Sequence, residues 1–441
     1  MKLRSNAAPK PATRGLSQLR PRVSAVAPGA LGWVMAKIIV FCADGTWNGP
    51  GKPDDSGQSS GTTNVLKLFL SLMGQDTPDT VMLGDEQEKT YGDDNGLRQV
   101  AKYLHGVGDS RNPLVRLMGG AFGAGTITRI VRGYTYISRQ YVPGDRIVLV
   151  GFSRGAYTAR ALAGFIIGQG LLNPIIGLAD KERAYRLGAA AWYAYRKKIN
   201  TDDSWAEKFD SIVTNLPGFV TSTLPPGSLV ADVDIHAVAV WDTVGALGIP
   251  DYALNGERLD TFQFASKDLN ARVAHGIHAI SIDEQRRDFT PTLWNDRSGI
   301  VQALFAGAHA DVGGGYPNCE IGLADASLAW MRTQLSDPRI GVMMNAPIAP
   351  FNANPLDVSH QPWTEMPWNI PDPSGKPTAE PRQFTGLTPA ITLGLHASVL
   401  QRWDQKVRRV PDPANTPYQP SNIAHLFNGS GQVLATVPVY P

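Results

Sequence analysis

The pentapeptide Gly151-Phe152-Ser153-Arg154-Gly155 fits G-x-S-x-G, the pattern that seats a serine on a sharp strand-to-helix turn with its hydroxyl presented as a nucleophile. The bare pattern is weak in a chain with 45 glycines, and Gly57-Gln58-Ser59-Ser60-Gly61 fits it too. Context separates the two. Ser59 lies in a Gly/Ser/Asp-rich stretch with no strand signal before it. Ser153 follows the apolar run at 147–150 and precedes Ala156-Tyr157-Thr158-Ala159-Arg160-Ala161-Leu162-Ala163, a strong helix former. Such a turn strains the serine backbone and tolerates only small flanking residues, which Gly151 and Gly155 supply. The helix that follows would aim its first amides, the Arg154 N–H foremost, at a developing oxyanion.

A nucleophilic serine requires a base, and the base an orienting acid. Of the eight histidines, His309 stands just beyond a strongly apolar run, in Gly307-Ala308-His309-Ala310-Asp311-Val312-Gly313-Gly314-Gly315-Tyr316. His396 is the second candidate, better read as a histidine on a packed late helix. For the acid, Asp242 follows the run at 235–240 and precedes Thr243-Val244-Gly245, while Asp283 follows a weaker run at 277–282. Either gives the chain order Ser, Asp, His of this chemistry. The polar neighbours of Asp283, Glu284-Gln285-Arg286-Arg287-Asp288, read as a solvated loop and favour Asp242.

Phe41-Cys42-Ala43-Asp44-Gly45-Thr46 offers a competing chemistry. It approaches the D-x-D-G-T pattern of aspartyl-phosphate phosphatases, but the position of the attacking carboxylate holds Cys42. In a hydrolase the same loop could lend a second oxyanion amide, from Gly45 or Thr46. Asp44 could close an Asx-type turn or, less readily, share a cation with Asp311.

The elements that must position these residues follow from the apolar runs at 38–42, 147–150, 235–240 and 301–306, with 277–282 weaker. Near-continuous apolar runs suit strands buried on both faces, and the stretches between them are long enough for crossover helices. The expected fold is α/β, an α/β-hydrolase-like, mostly parallel sheet flanked by helices, with active residues just past the carboxyl ends of the strands. Residues 35–335 form the expected catalytic domain, with a helical insertion at about 171–233. Within it 182–213 carries Trp192, Tyr193, Tyr195, Trp205 and Phe209, as a cap over the site or as ordinary core packing. Of the 33 prolines, 17 fall from Pro338 onward, so 336–441 reads as short elements packed on the core. Residues 1–34 carry six basic side chains and no acid, as a disordered arm or a mis-assigned start before Met35.

Composition removes other classes. A net charge of +2 gives no field for gripping nucleic acid. Cys42 and Cys319 are the only cysteines, too few for a disulfide scaffold or a structural zinc site. No apolar run reaches the roughly 18 residues of a membrane span. The expectation is a cofactor-free enzyme with no secretory signal, cytoplasmic unless exported by a dedicated system. Through the aromatics at 182–213, peripheral contact with a membrane is compatible with this reading.

Taken in order, the motifs resemble the G-x-S-x-G phospholipase effectors of bacterial type VI secretion and their α/β-hydrolase relatives. The residues that carry the resemblance are Asp44-Gly45-Thr46-Trp47-Asn48, Gly106-Val107-Gly108, Gly119-Gly120-Ala121-Phe122-Gly123, Pro143-Gly144-Asp145, Gly151 to Arg160, Val240 to Gly245, Asp283-Glu284, Arg286-Arg287 and Gly307 to Tyr316. The resemblance implies a Ser153–His309–Asp242 triad, which selects Asp242 over Asp283, and hydrolysis of carboxylic esters with phospholipids as plausible substrates. Esterase action on acylated glycans or small metabolites, or a catalytically silent binding role, are the alternatives.

Overall fold

A computed structural model of the chain describes residues 36–45, 61–78, 86–106, 121–199, 224–244, 268–346, 351–366, 368–371, 379–387, 390–412 and 414–441. The basic arm, Thr46, the second G-x-S-x-G match around Ser59, and Trp205 and Phe209 lie outside the described residues.

One sheet of ten strands organises the chain: β1 (Ile38–Ala43), β2 (Gln75–Pro78), β3 (Glu86–Asp93), β4 (Gly96–Leu104), β5 (Arg146–Phe152), β6 (Ile235–Trp241), β7 (Val273–Ser281), β8 (Ile300–Phe305), β9 (Gly394–His396) and β10 (Val439–Tyr440). Their spatial order is β10-β9-β8-β7-β6-β5-β1-β4-β3-β2. The eight strands from β10 to β4 are parallel, and β3 and β2 complete the edge antiparallel. The large, mostly parallel sheet flanked by helices is α/β-hydrolase-like. Chain direction across the sheet reverses between β1 and β5, and crevices at such switch points are where ligands bind in open α/β sheets.

Period-two side-chain alternation divides the core. Ile39 and Phe41 of β1 and Ile147 and Leu149 of β5 face α2 (Ala121–Gln140), α3 (Arg154–Gln169) and α4 (Lys181–Ile199). Val40 and Cys42, with Val148 and Val150, face the opposite layer of α1 (Asn64–Ser71) and α6 (Gly322–Ser336), between which α5 (His309–Gly313) is a single short turn. Each fully buried Val, Ile or Leu contributes about 1.5–3 kcal/mol of transfer free energy. That is why uninterrupted β-branched runs end up as central strands.

The 277–282 run, the weakest signal, belongs to a nine-residue central strand whose first half is masked in sequence by Ala274, His275 and Gly276. The β3–β4 hairpin escapes an apolar-run reading because β3, Glu-Gln-Glu-Lys-Thr-Tyr-Gly-Asp, is a polar, half-exposed strand between β4 and the short edge strand β2. Trp192 and Tyr195 of α4 pack on Phe165 of α3, with ring centroids 5.1 and 5.3 Å apart. Within the described residues these aromatics are therefore core, not a cap.

The chain after Ser336 adds β9 and β10 to the sheet edge, and α7 (Ala397–Arg402) follows β9 directly. Leu395, Val399, Val407, Tyr418 and Ile423 cover Ile280, Ile282 and Leu304 in a third apolar cluster. His396 ends β9 and caps α7, its Nδ1 accepting the Ser398 N–H at 3.2 Å, so it sits at a strand end and not within a helix.

Candidate active site

Ser153 joins β5 to α3 with φ 57° and ψ −123°, a conformation non-glycine residues rarely adopt. Packing holds it there. A Cβ on Gly151 would stand 2.4 Å from the Gly155 carbonyl oxygen, and one on Gly155 would stand 2.0 Å from that of Ala43. The turn can close, and α3 can lie against the end of β1, only because both positions are glycine. Arg154 is the first residue of α3, where amides point out of the helix end.

Hydrogen bonds then step across the carboxyl edge of the sheet. The Ser153 N–H donates to Trp241 O at 3.1 Å, the Asp242 N–H to Ala279 O at 2.7 Å, the Ile282 N–H to Phe305 O at 2.9 Å, and the Asp283 N–H to Gly307 O at 3.0 Å. Residues following β5, β6, β7 and β8 are thereby brought onto one edge. The His309 ring meets this edge beside the elbow, 4.6 Å from the Phe152 ring and 5.0 Å from that of Phe289.

Asp242 and His309 are in direct contact, with Nδ1 2.5 Å from Oδ2. Asp242 Oδ1 also accepts the Ser281 N–H at 2.9 Å. The remaining capacity of the carboxylate goes to a residue that sequence reasoning missed. Arg382 donates Nη1 to Oδ1 at 2.7 Å and Nη2 to Oδ2 at 2.9 Å. Burial alone would raise the Asp242 pKa; Arg382 first and His309 second outweigh it and hold the carboxyl well below the usual range. For His309 the balance differs: burial lowers its pKa, and attraction to Asp242 only partly offsets this. Its Nε2 is buried and makes no hydrogen bond among the described residues.

Glu284, also buried, accepts the His309 N–H at 3.2 Å and both ends of the Arg286 guanidinium, at 2.9 and 2.7 Å. Burial opposes its charge, but Arg286 prevails and its pKa falls to about 2. The Arg286 guanidinium lies 3.6 Å over the Phe289 ring. The polar run that reads as a solvated loop is thus an inward clamp on the histidine loop. Asp283 takes part in it, accepting the Gly307 N–H at 2.6 Å and the Tyr418 hydroxyl at 3.0 Å. It does not reach the His309 ring.

Two expectations at the β1 end need correction. Gly45 donates its N–H to Asp44 Oδ1 at 2.6 Å, which removes that amide as an oxyanion donor; Thr46 lies outside the described residues. Asp44 does not merely close its own turn. Its Oδ2 accepts the Thr63 and Tyr103 hydroxyls, each at 2.6 Å, tying β1 to the start of α1 and to β4. Nor does it share a site with Asp311, whose oxygens accept the Ala308 N–H at 2.8 Å and the His360 N–H and ring at 2.9 and 2.7 Å. Among the described residues no group of three His, Cys, Asp or Glu could hold a metal ion. Cys42 is wholly buried in β1, where burial pushes its thiol pKa up, away from nucleophilic use.

Comparison with known proteins places the chain in a family. Residues 37–334 match the family described as type VI secretion system phospholipase effector, Tle1-like, catalytic domain. The chain belongs to that family. An uncharacterized protein of Saccharomyces cerevisiae is 30% identical over 263 residues, 57% of this chain and 32% of its own. A crystal structure of an uncharacterized protein from Pseudomonas aeruginosa aligns at 17% identity and TM-score 0.38, covering 72% of this chain and 48% of that one. A structure of the Tle1 effector bound to the VgrG spike of the type VI secretion system aligns at 16% identity and TM-score 0.32, covering 64% and 51%. The chain therefore spans about a third of the length of the yeast relative and about half of each solved structure. Arg382 falls outside the residues that match the family. Among the described residues no helix is long and apolar enough to cross a membrane.

Proposed function

We propose that this Tle1-like chain is a serine carboxylester hydrolase of phospholipase type, working through an acyl-enzyme on Ser153. Two features of one sheet edge support the reading: a serine held strained at φ 57° on the elbow, and a histidine ring 4.6 Å from that of the adjacent Phe152, with its Nδ1 bound to a buried, charged aspartate and its Nε2 uncommitted. With Nδ1–H donated to Asp242, Nε2 carries the lone pair and is the basic nitrogen. It takes the Ser153 proton as Oγ attacks the acyl carbonyl, and returns it to the departing alcohol oxygen. Water then attacks the acyl-enzyme by the same route in reverse, releasing the acid and restoring Ser153. The Arg154 N–H binds the oxyanion.

The Ser153–His309 hydrogen bond is not formed in this structure, and bonds of this kind often tighten only when substrate excludes water. Support for a lipid ester comes from family membership and from the rim of the site. Phe152 and Phe289 flank the His309 ring, Trp368 packs edge-on against Phe289 at 5.3 Å, and Met366 and Ile370 beside it are exposed. An acyl chain entering there would meet apolar surface.

Fluorophosphonate labelling tests the reading directly. The wild-type chain should label in an active-site-dependent manner, and Ser153→Ala should lose the label together with esterase turnover, by on the order of 10³-fold or more. Absence of labelling in the folded wild type would instead favour a silent binding role.

A further inference from the structure

We propose that Arg382, supplied by chain beyond the region that matches the family, is a positioning residue of the hydrolytic site, and that its fork fixes the Asp242 carboxylate on the His309 ring. The inference rests on the Ser153–His309–Asp242 reading.

The geometry has two parts. At Asp242, Oδ1 takes the Ser281 N–H and Arg382 Nη1, while Oδ2 takes His309 Nδ1 and Arg382 Nη2. A carboxylate has about four lone-pair positions, and all are filled, so rotation about its terminal torsion would break two charge-assisted bonds at once. At Arg382, the same two nitrogens donate to Ser281 O at 2.7 Å and to Phe289 O at 2.5 Å. The guanidinium is therefore itself locked to the end of β7 and to the residue whose ring lies on His309. A planar fork spans these four acceptors; an ammonium cannot.

The fork also divides the charge of Asp242. A full carboxylate facing only imidazole would stabilise the protonated ring strongly, whereas a carboxylate already shared with a guanidinium stabilises it less. The other charged and titratable groups around the pair are Glu284 and Arg286, from the loop after β7, and His278 of β7, with Arg160 of α3 behind it. Burial holds His278 down at about 3, so it carries no charge near neutrality. Glu284 is already neutralised by Arg286 through two bonds. That leaves Arg382 as the cation directly on the Asp242 carboxylate among the described residues. The same extension reaches the histidine loop a second time, through the bonds from His360 to Asp311. The site is thus assembled from two parts of the chain.

The test uses the full chain and hydrolysis of a soluble p-nitrophenyl ester followed across pH, with Ser153→Ala as control. Arg382→Gln should lower kcat by about a hundredfold with KM changed less than about threefold, since a misplaced base costs rate more than binding. Loss of the cation should move the acid limb of the kcat/KM profile upward by roughly one pH unit, because the protonated ring is then better stabilised. Arg382→Lys keeps the charge but not the fork, so its acid limb should stay near that of the wild type while kcat falls about tenfold. A counter-ion needed only for folding would shift the melting temperature and leave the limb in place. Folded Arg382→Gln with wild-type kcat and an unmoved limb overturns the inference. Where Arg382→Gln does not fold, Arg382→Lys with full kcat overturns it, and Arg382→Lys with reduced kcat at unchanged KM supports it. Turnover surviving in Ser153→Ala would instead sink the nucleophile assignment.

Discussion

Asp44 and Asp242 occupy equivalent places, each the residue after a central parallel strand and each wholly buried, yet their surroundings drive them in opposite directions. Asp44 is met by neutral donors: two hydroxyls and one amide. The nearest cation, Arg129, spends its bond on the Asp44 carbonyl oxygen. Burial dominates there, and the Asp44 pKa is pushed up to about 6. Asp242 faces the same desolvation, but a guanidinium sits on both of its oxygens, and its pKa goes well below the ordinary value. Hydrogen bonds from neutral groups make a buried carboxyl tolerable; only a paired charge makes it dependably anionic. The first kind of aspartate suits a structural tie, the second an orienting acid for a histidine base.

The sharpest way to break this contrast is to neutralise each aspartate in turn. Asp242→Asn should lower kcat by on the order of 10⁴-fold, because the amide presents an N–H where the ring needs an acceptor and favours the wrong tautomer. Asp44→Asn, which leaves His309 untouched, should lower it by less than about tenfold. Rates should be taken per folded protein, since Asp242→Asn also leaves Arg382 as a buried unpaired cation. Comparable losses in the two variants would remove the distinction.

How far the sequence discloses these two sites follows the same divide. Ser153 and its elbow are legible because strand, turn and helix lie within about twenty residues, and local propensity, glycine placement and strand burial all agree. The runs behind Asp242 and His309 are legible for a similar reason, since each sits just past a buried strand. What stays hidden is side-chain pairing across long separations. Arg382 lies 140 residues from Asp242, between prolines and polar residues with no periodicity. Glu284 and Asp283 sit in a run whose charge density mimics a solvated loop, and each is matched by a partner that charge density alone cannot assign. Gly45 is a case of the reverse error: its place in the loop after the first strand suggests an oxyanion amide, but a carboxylate one residue away takes that hydrogen.

Stability offers the next test, because opposite pKa displacements have opposite linkage signs. Folded Asp44 keeps a proton that the unfolded chain releases between about pH 4 and pH 6. Its burial therefore favours the folded state at the acid end and costs stability as pH rises through that window. The cost reaches about 3 kcal/mol by pH 7. In urea melts at pH 4 and pH 7, Asp44→Asn should gain on the wild type by about that amount at the higher pH. For Asp242 the sign reverses, since a depressed pKa stabilises the folded chain above about pH 4 and the benefit fades as pH falls further. Parallel pH dependences for Asp44→Asn and the wild type would show that Asp44 is not held against ionisation.

The smallest effect isolates the neutral donors themselves. Tyr103 is buried and its hydroxyl lies 2.6 Å from Asp44 Oδ2, so Tyr103→Phe deletes one donor with little change of shape. Where Asp44 is ionised, at pH 7, the lost bond is charge-assisted and its removal should cost about 2 kcal/mol; at pH 4, with the acid protonated, about 1 kcal/mol. With one fewer donor stabilising the anion, the titration of Asp44 should move above about 6, and the difference between wild type and variant should grow as pH rises. A loss equal at both pH values would mean that Tyr103 acts through packing alone, and that the tolerance for a carboxyl at the end of β1 rests on Thr63 and the Gly45 amide.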